Sequence, residues 1–360
     1  MKLVKMLLTP PIVAISAVLG LVLSAAASYT VTVSVANPAD GTVTVSSTTV
    51  EEGESVTITA TPTADGKAFN YWSGTGCLPQ RLTHDASATF KVTNDCELVA
   101  HFATAYYVKT DGDDSKDGLT PATAKASVAA AVNAAQTAGD EAVVLVAAGT
   151  YKVAAAEGLV NLTKAVTVRG TGTTRDDTII RSGYKNLTYL VTLGHENCAI
   201  QHLRLEGGST EAAYGGISMS AGLVTDCSVT AFKGTAGEEA SVPVRVSGGL
   251  LADSRIFGNS PKTSYGARGG LQMSAGVAEN CEIVDNVAGG GEGGSEDGRR
   301  GGGVYMDGGT LRNCLIAGNM HPIAASGIAI HKGSPVVENC TIAGNFYDLG
   351  TTTRIVRGVE

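Results

Sequence analysis

The chain has 360 residues, 46 of them glycine, with 17% charged, 5% aromatic and a formal net charge of −8. So many glycines and so few charges argue against a helical bundle and for short strands joined by turns. The acidic balance argues against nucleic acid or anionic lipid as partners, because basic patches hold both.

Residues 1–27 contain Lys2 and Lys5, an apolar run over 12–23, and then Ala25, Ala26 and Ala27. This three-part pattern predicts a signal peptide, and so a secreted or cell-surface protein; an uncleaved anchor is the alternative. Cleavage removes two lysines and no acid, leaving 24 basic against 34 acidic side chains, a net −10. No later apolar stretch is long enough to span a bilayer, so no membrane span is expected after cleavage.

Over 29–103, apolar and polar residues alternate at 30–35, 42–45, 55–60, 88–92 and 97–102, with turns at Asp40-Gly41 and Glu52-Gly53. Period-two runs of this kind predict half-buried antiparallel strands. Cys77 and Cys96 are the only cysteines of the segment. In an oxidising compartment they are predicted to pair, and a loop of this size gains roughly 3 kcal/mol from the bridge. Trp72 is expected in the core of the sheet. The order of Gly41, Gly53, Phe69, Trp72, Gly74, His101 and Phe102 resembles the divergent internalin-type B-repeat, or bacterial repeat domain. The resemblance implies a small β-grasp-like module that serves as a spacer or adhesive unit without catalysis.

Residues 105–155 run from Tyr106 through an acidic glycine turn and an alanine-rich stretch over 124–138. They end in a strand that closes on Gly149, Thr150 and Tyr151. This order resembles the N-terminal cap of pectate-lyase-like right-handed parallel β-helix proteins. The apolar face of the helix, with Val128 and Val132, would cover the otherwise open end of a stacked core. Asp111, Asp113, Ser115 and Asp117 alternate as at the start of a calcium loop, so calcium is the one cofactor the sequence offers. The closing glutamate is missing, Thr123 standing near its place, and a solvated Asx–Gly turn is the alternative.

The clearest signal is a repeat over 216–345. Segments 217–227 (ISMSAGLVTDC), 244–254 (VRVSGGLLADS), 271–281 (LQMSAGVAENC) and 304–314 (VYMDGGTLRNC) align without gaps, and 328–340 carries two extra residues. Repeats at such a period signal a solenoid. The predicted fold is therefore all-β: a right-handed parallel β-helix over 105–360, preceded by the small module and a short capping helix. The last turn has no evident cap, so the chain either improvises one or continues beyond Glu360.

Register makes the repeat a structural equation. Cys198, Cys227, Ser254, Cys281, Cys314 and Cys340 stack, and Ile or Val follows two residues later. Asn259, Asn286, Asn319 and Asn345 each stand five residues after a Cys or Ser and should form an amide ladder at a bend. Alternation points the Cys/Ser and Ile/Val inward, and Ser228, Arg255, Glu282, Leu315 and Thr341 outward. One cysteine per turn, replaced in register by Ser254, reads as small buried thiols rather than a metal or redox array.

What remains for function is the variable part: unequal loops, the longest over 289–300, and two outward columns on the first strand of each turn. One column is Ser218, Arg245, Gln272, Tyr305 and Ala329; the other is Ser220, Ser247, Ser274, Asp307 and His331. Lyase chemistry needs a base and calcium-holding carboxylates, which makes Arg245, Tyr305, Asp307 and His331 the catalytic candidates. A single carboxylate in these columns is too few for a strong calcium site, and the paired carboxylates of a glycosidase are not evident. The leading expectation is a noncatalytic surface protein that acts as adhesin, spacer or glycan binder, with extracellular polysaccharide or cell-surface glycan as partner. A polysaccharide lyase or hydrolase is the competitor.

Overall fold

The computed structural model describes residues 27–154, 156, 159–183, 189–208, 215–233, 242–260, 269–288, 301–321, 325–348 and 354–356. The expected signal peptide, apart from Ala27, and the long loop over 289–300 lie outside these residues.

The first module pairs Ser28–Val35 antiparallel with Thr49–Glu51 and parallel with Cys96–Val108, and Lys67–Thr75 runs antiparallel to Cys96–Val108. A second, antiparallel sheet holds Gly41–Val45, Ser55–Pro62 and Ser87–Lys91. Val56, Ile58, Phe69, Trp72, Phe90 and Phe102 form the core between them. Trp72 is 2% exposed, lies 5.4 Å from the Phe69 ring, and donates from Nε1 to Asp85 O at 2.9 Å. Cys77 and Cys96 form the disulfide.

The strand Cys96–Val108 does not stop at the module's edge. Its last five residues, Thr104 to Val108, pair in parallel with 142–146 of Glu141–Val146, so one 13-residue strand belongs to both the module and the first turn of the solenoid. Helix α1 (Val128–Ala138) caps that end. Ser127 accepts from the Ala130 N–H, and Val128, Ala131, Val132 and Ala135 join the solenoid's own apolar core.

A parallel β-solenoid of about six turns follows. Its first face is a seven-stranded parallel sheet from Val160–Leu162 to Ile328–Ile330. The second and third faces begin as separate strands, Glu141–Val146 with Gly149–Val153 and Ala165–Gly170 with Thr178–Ser182. They run together as the long strands Ala199–Glu206 and Leu223–Thr230, and divide again into pairs such as Leu250–Ala252 and Arg255–Phe257. Met219, Val246, Met273 and Met306 point inward from the first face, and Val229, Ile256, Ile283 and Ile316 from the third, all at 0% exposure.

Two corners require left-handed backbone. Cys198 does not join the stack. Leu203 and Leu205 are the register partners of Cys227 and Val229, while Cys198 lies one corner earlier, just before the Ala199–Leu223 pair. The long strand Ala199–Glu206 fills both faces of that turn. The residue before each of the other stacked Cys or Ser has positive φ: Asp226 47°, Asp253 48°, Asn280 55°, Asn313 54° and Asn339 52°. Asp and Asn tolerate this conformation better than other side chains, which is why the repeat spells Asp or Asn there. Gly222 and Gly249 turn the other corner at φ 76°, and a Cβ on Gly249 would stand 2.5 Å from Gly222 O.

The stacked positions are satisfied from turn to turn. Asn286 Nδ2 donates to Ile256 O at 2.9 Å and to Asn319 Oδ1 at 3.0 Å, while its own Oδ1 accepts from Asn259 Nδ2 at 2.9 Å. Asn319 repeats this with Asn345, and at the other end Phe232 N donates to Asn259 Oδ1 at 3.1 Å. The Cys227, Cys281 and Cys314 thiols each donate to the carbonyl two residues back at 3.2 Å, as the Ser254 hydroxyl does at 2.6 Å. Ser228 departs from expectation: it is 2% exposed, whereas Arg255, Glu282, Leu315 and Thr341 of the same column are exposed.

The module also packs along the second face. Asn70 Nδ2 donates to Ala165 O at 3.1 Å, and Asn70 Oδ1 accepts from the Thr167 hydroxyl at 2.6 Å. His84 Nδ1 lies 2.9 Å from that hydroxyl, and Arg169 donates to His84 O at 3.0 Å and Phe69 O at 3.3 Å. Arg81 reaches Asp253 at 3.4 Å. Burial, with the nearby Arg169 charge, pushes the His84 imidazole down to about 3, and burial pushes the Asp85 carboxyl up to about 6.

Candidate functional site

Three of the four catalytic candidates come together near the far end of the first face. Tyr305 and Ala329 occupy neighbouring turns, and Asp307 and His331 each follow two residues later in their strands. Asp307 Oδ1 accepts from the Tyr305 hydroxyl at 3.3 Å and pairs with His331 Nδ1 at 2.7 Å. The Tyr305 and His331 rings stack at 5.9 Å between centroids, 26° apart. The carboxylate and imidazole keep 16% and 20% of their side-chain surface exposed.

Arg245 does not join them. It sits two turns away in register, separated by Gln272, to which its Nε donates at 3.4 Å. At about 4.8 Å per turn, that places its strand roughly 10 Å from that of Tyr305. The column is also less open than alternation implied. Gln272, Tyr305 and Ala329 are 8%, 2% and 5% exposed, and Ala325 packs on Tyr305 and Ala329. Tyr305 therefore offers its hydroxyl to Asp307, not a ring face to solvent.

Chemically, the arrangement is an imidazole oriented by a carboxylate, with a tyrosine buttressing both. Asp307 orients the ring through Nδ1, which leaves Nε2 as the imidazole's outward polar atom. Such a pair can hold a hydroxyl-rich ligand or carry a proton.

In the acidic loop before α1 the carboxylates are engaged by local donors. Asp113 accepts from the Ser115 hydroxyl at 2.7 Å and its N–H at 2.9 Å, and these bonds hold its pKa below the usual carboxylate value. Asp117 accepts from Leu119 N at 3.0 Å, and Asp111 lies 3.7 Å from Lys109 Nζ. The carbonyls of Asp114 and Lys116 converge on Lys125 Nζ, at 3.1 and 2.6 Å. Among the described residues no group of three or more His, Cys, Asp or Glu gathers as a metal site. Asp114, outside the alternating set, does the structural work: it accepts from Ala126 N, Ser127 N and the Ser127 hydroxyl at 2.8–2.9 Å, and so fixes the start of α1.

Sequence reasoning missed the polar groups of the module–solenoid junction, and no motif marks them. It also passed over the Asp or Asn before each Cys, although the recurring Asp-Cys and Asn-Cys pairs were visible.

Residues 31–105 match the family model of the divergent InlB B-repeat domain. A comparison with curated proteins finds no match. Among solved structures, one from Geobacillus virus E2, ORF18, is similar at 18% identity with a TM-score of 0.33. The match covers 66% of this chain and 48% of that one, so this chain spans about half the length of that protein.

Proposed function

We propose that this is a noncatalytic surface or extracellular protein in which a B-repeat spacer holds a glycan-binding β-solenoid rigidly. A repeat module followed by a solenoid fits a surface or extracellular β-helix protein. The observation that carries the rigid-spacer reading is the shared strand Cys96–Val108, which leaves no linker between the two parts. The noncatalytic reading is supported by the candidate cluster. Arg245 is held apart from it by Gln272, so the four candidates do not form one constellation.

One observation favours the competing reading, a polysaccharide lyase or hydrolase: the Asp307–His331 pair has the form of an oriented general base. Incubating the exported protein with pectin, alginate and neutral polysaccharides, with and without calcium, separates the two. Glycan binding without new reducing ends or unsaturated oligosaccharides is expected. Turnover that disappears in His331→Ala would overturn the noncatalytic reading.

A further inference from the structure

The last turn of the solenoid is held from one side. Its strands Ile328–Ile330, Val336–Glu338 and Thr341–Ala343 pair with the preceding turn and, among the described residues, with no strand beyond. Its inward side chains are correspondingly open. Ile330 continues the inward column of Met219, Val246, Met273 and Met306, which are fully buried, yet is itself 45% exposed. Val337, Cys340 and Ile342 are only partly buried, whereas Leu311, Cys314 and Ile316 one turn earlier are closed to solvent.

This opening sets the last two thiols apart from the others. Burial pushes the Cys198 and Cys227 thiols up to about 11 and about 12, which leaves them inert. Cys314 goes the other way. Hydrogen bonding from the Cys281 thiol, joined by the Cys281 N–H at 3.4 Å and the Cys340 thiol, holds it below the ordinary thiol value. Cys340 is its register neighbour one turn on, since Leu315 pairs with Thr341 and Thr341 N donates to Cys314 O at 2.9 Å. That step is about 4.8 Å, inside the roughly 4.4–6.8 Å of Cα separation that a disulfide spans. Stacked side chains run parallel, whereas a disulfide needs a dihedral of about 90° between them, so one partner has to rotate. Cys281 and Cys314 are buried with a turn on either side, and Ser254 separates Cys227 from Cys281. Cys340 is partly exposed and has no turn above it to fix its rotamer. Partial burial holds its thiol above the ordinary value, but it is the thiol that solvent reaches.

We propose that Cys314 and Cys340 are an oxidation site, closed by a small-molecule disulfide, and that the new bond staples the last turn to the one before it. The Cys340 thiolate attacks one sulfur of the oxidant R–S–S–R and releases the first R–S⁻. The Cys314 thiolate then attacks Cys340 Sγ and releases the second. Two cysteine S–H bonds and the oxidant's S–S bond are given up. One S–S bond forms within the chain, and the two protons end on the two released thiols. The pair is oxidised by two electrons and R–S–S–R is reduced by two. The inference goes beyond the glycan-binding reading and does not depend on it.

The test is oxidation of the folded chain with hydroxyethyl disulfide at about pH 8, where thiolates form, followed by thiol titration in denaturant and peptide mapping. The five free thiols should fall by two, with a single Cys314–Cys340 peptide. Hydrogen exchange over 341–343 should slow roughly tenfold or more on oxidation, because a closed loop resists local opening. Cys314→Ser and Cys340→Ser should each abolish the link and the slowing, whereas Cys281→Ser should still form the link. Five thiols still titrating, a link between any other pair, or a dimer joined through Cys340 on a non-reducing gel overturns the oxidation site. A Cys314–Cys340 link that leaves exchange over 341–343 unchanged overturns the staple.

Discussion

The amide ladder of the solenoid and the junction beneath the B-repeat module both bury polar side chains, but they satisfy them by opposite routes. In the ladder, Asn259, Asn286, Asn319 and Asn345 are 0% exposed, and each bonds to a copy of itself one turn away. At the junction, Asn70, His84 and Thr167 are just as deeply buried, yet their partners are unique residues from distant parts of the chain. Repetition makes a buried polar group cheap to specify, because one solution serves every turn. A one-time interface needs each partner placed separately.

The sharpest way to break the ladder is Asn286→Ala. It strands Ile256 O, Asn259 Nδ2 and the Asn259 N–H that also uses Asn286 Oδ1 at 3.3 Å. Several unsatisfied buried groups at about 1–3 kcal/mol each predict a loss of roughly 4 kcal/mol in denaturant unfolding. A loss below about 1 kcal/mol would mean that water repairs the ladder.

The junction should respond to pH where the ladder does not. His84 falls to about 3 from an ordinary 6.5, so the unfolded chain binds the proton more readily between those values. Its contribution is whole above pH 6.5 and is lost as pH falls toward 3, by at most about 1.4 kcal/mol per unit. Asp85 rises from 3.8 to about 6, so in that window the folded state holds the extra proton and stability rises as pH falls. The two groups therefore offset each other between about pH 4 and 6. Melting temperatures of Asp85→Asn should drop more steeply through that window than those of the parent chain. Parallel curves would show that Asp85 does not titrate at the junction.

The smallest effect belongs to the thiols. Cys281 and Ser254 make the same bond, to the carbonyl two residues back. Cys281→Ser should change stability by less than about 1 kcal/mol. A larger loss on denaturant unfolding would give the thiol a packing role that Ser254 does not reproduce.

Reading the chain alone was most successful where the pattern repeats. The columns of Cys, Ile and Asn from Cys227 onward, the corner glycines and the disulfide follow from spacing and composition, whereas Cys198 and Ile200, one corner out of register, do not belong to those columns. Reading was least successful where two non-adjacent segments meet. Alternation placed Ser228, Gln272 and Tyr305 outward, yet all three are buried, and Ala325 packs against Tyr305. Of the candidate cluster, the sequence supplied all the members. Only the fold joined Tyr305, Asp307 and His331 and left Arg245 two turns away.

By itself, then, the sequence determined that the chain is a B-repeat module followed by a parallel solenoid, because periodic burial and periodic left-handed corners leave periodic residues. The tertiary structure decided that Cys96–Val108 joins the two without a linker, and which faces stay open. It also left Cys340 within reach of solvent while closing over Cys314 one turn earlier. The physical reason is that stacking turns converts a distance along the chain into about 4.8 Å in space, and no local pattern records which side chains that brings together.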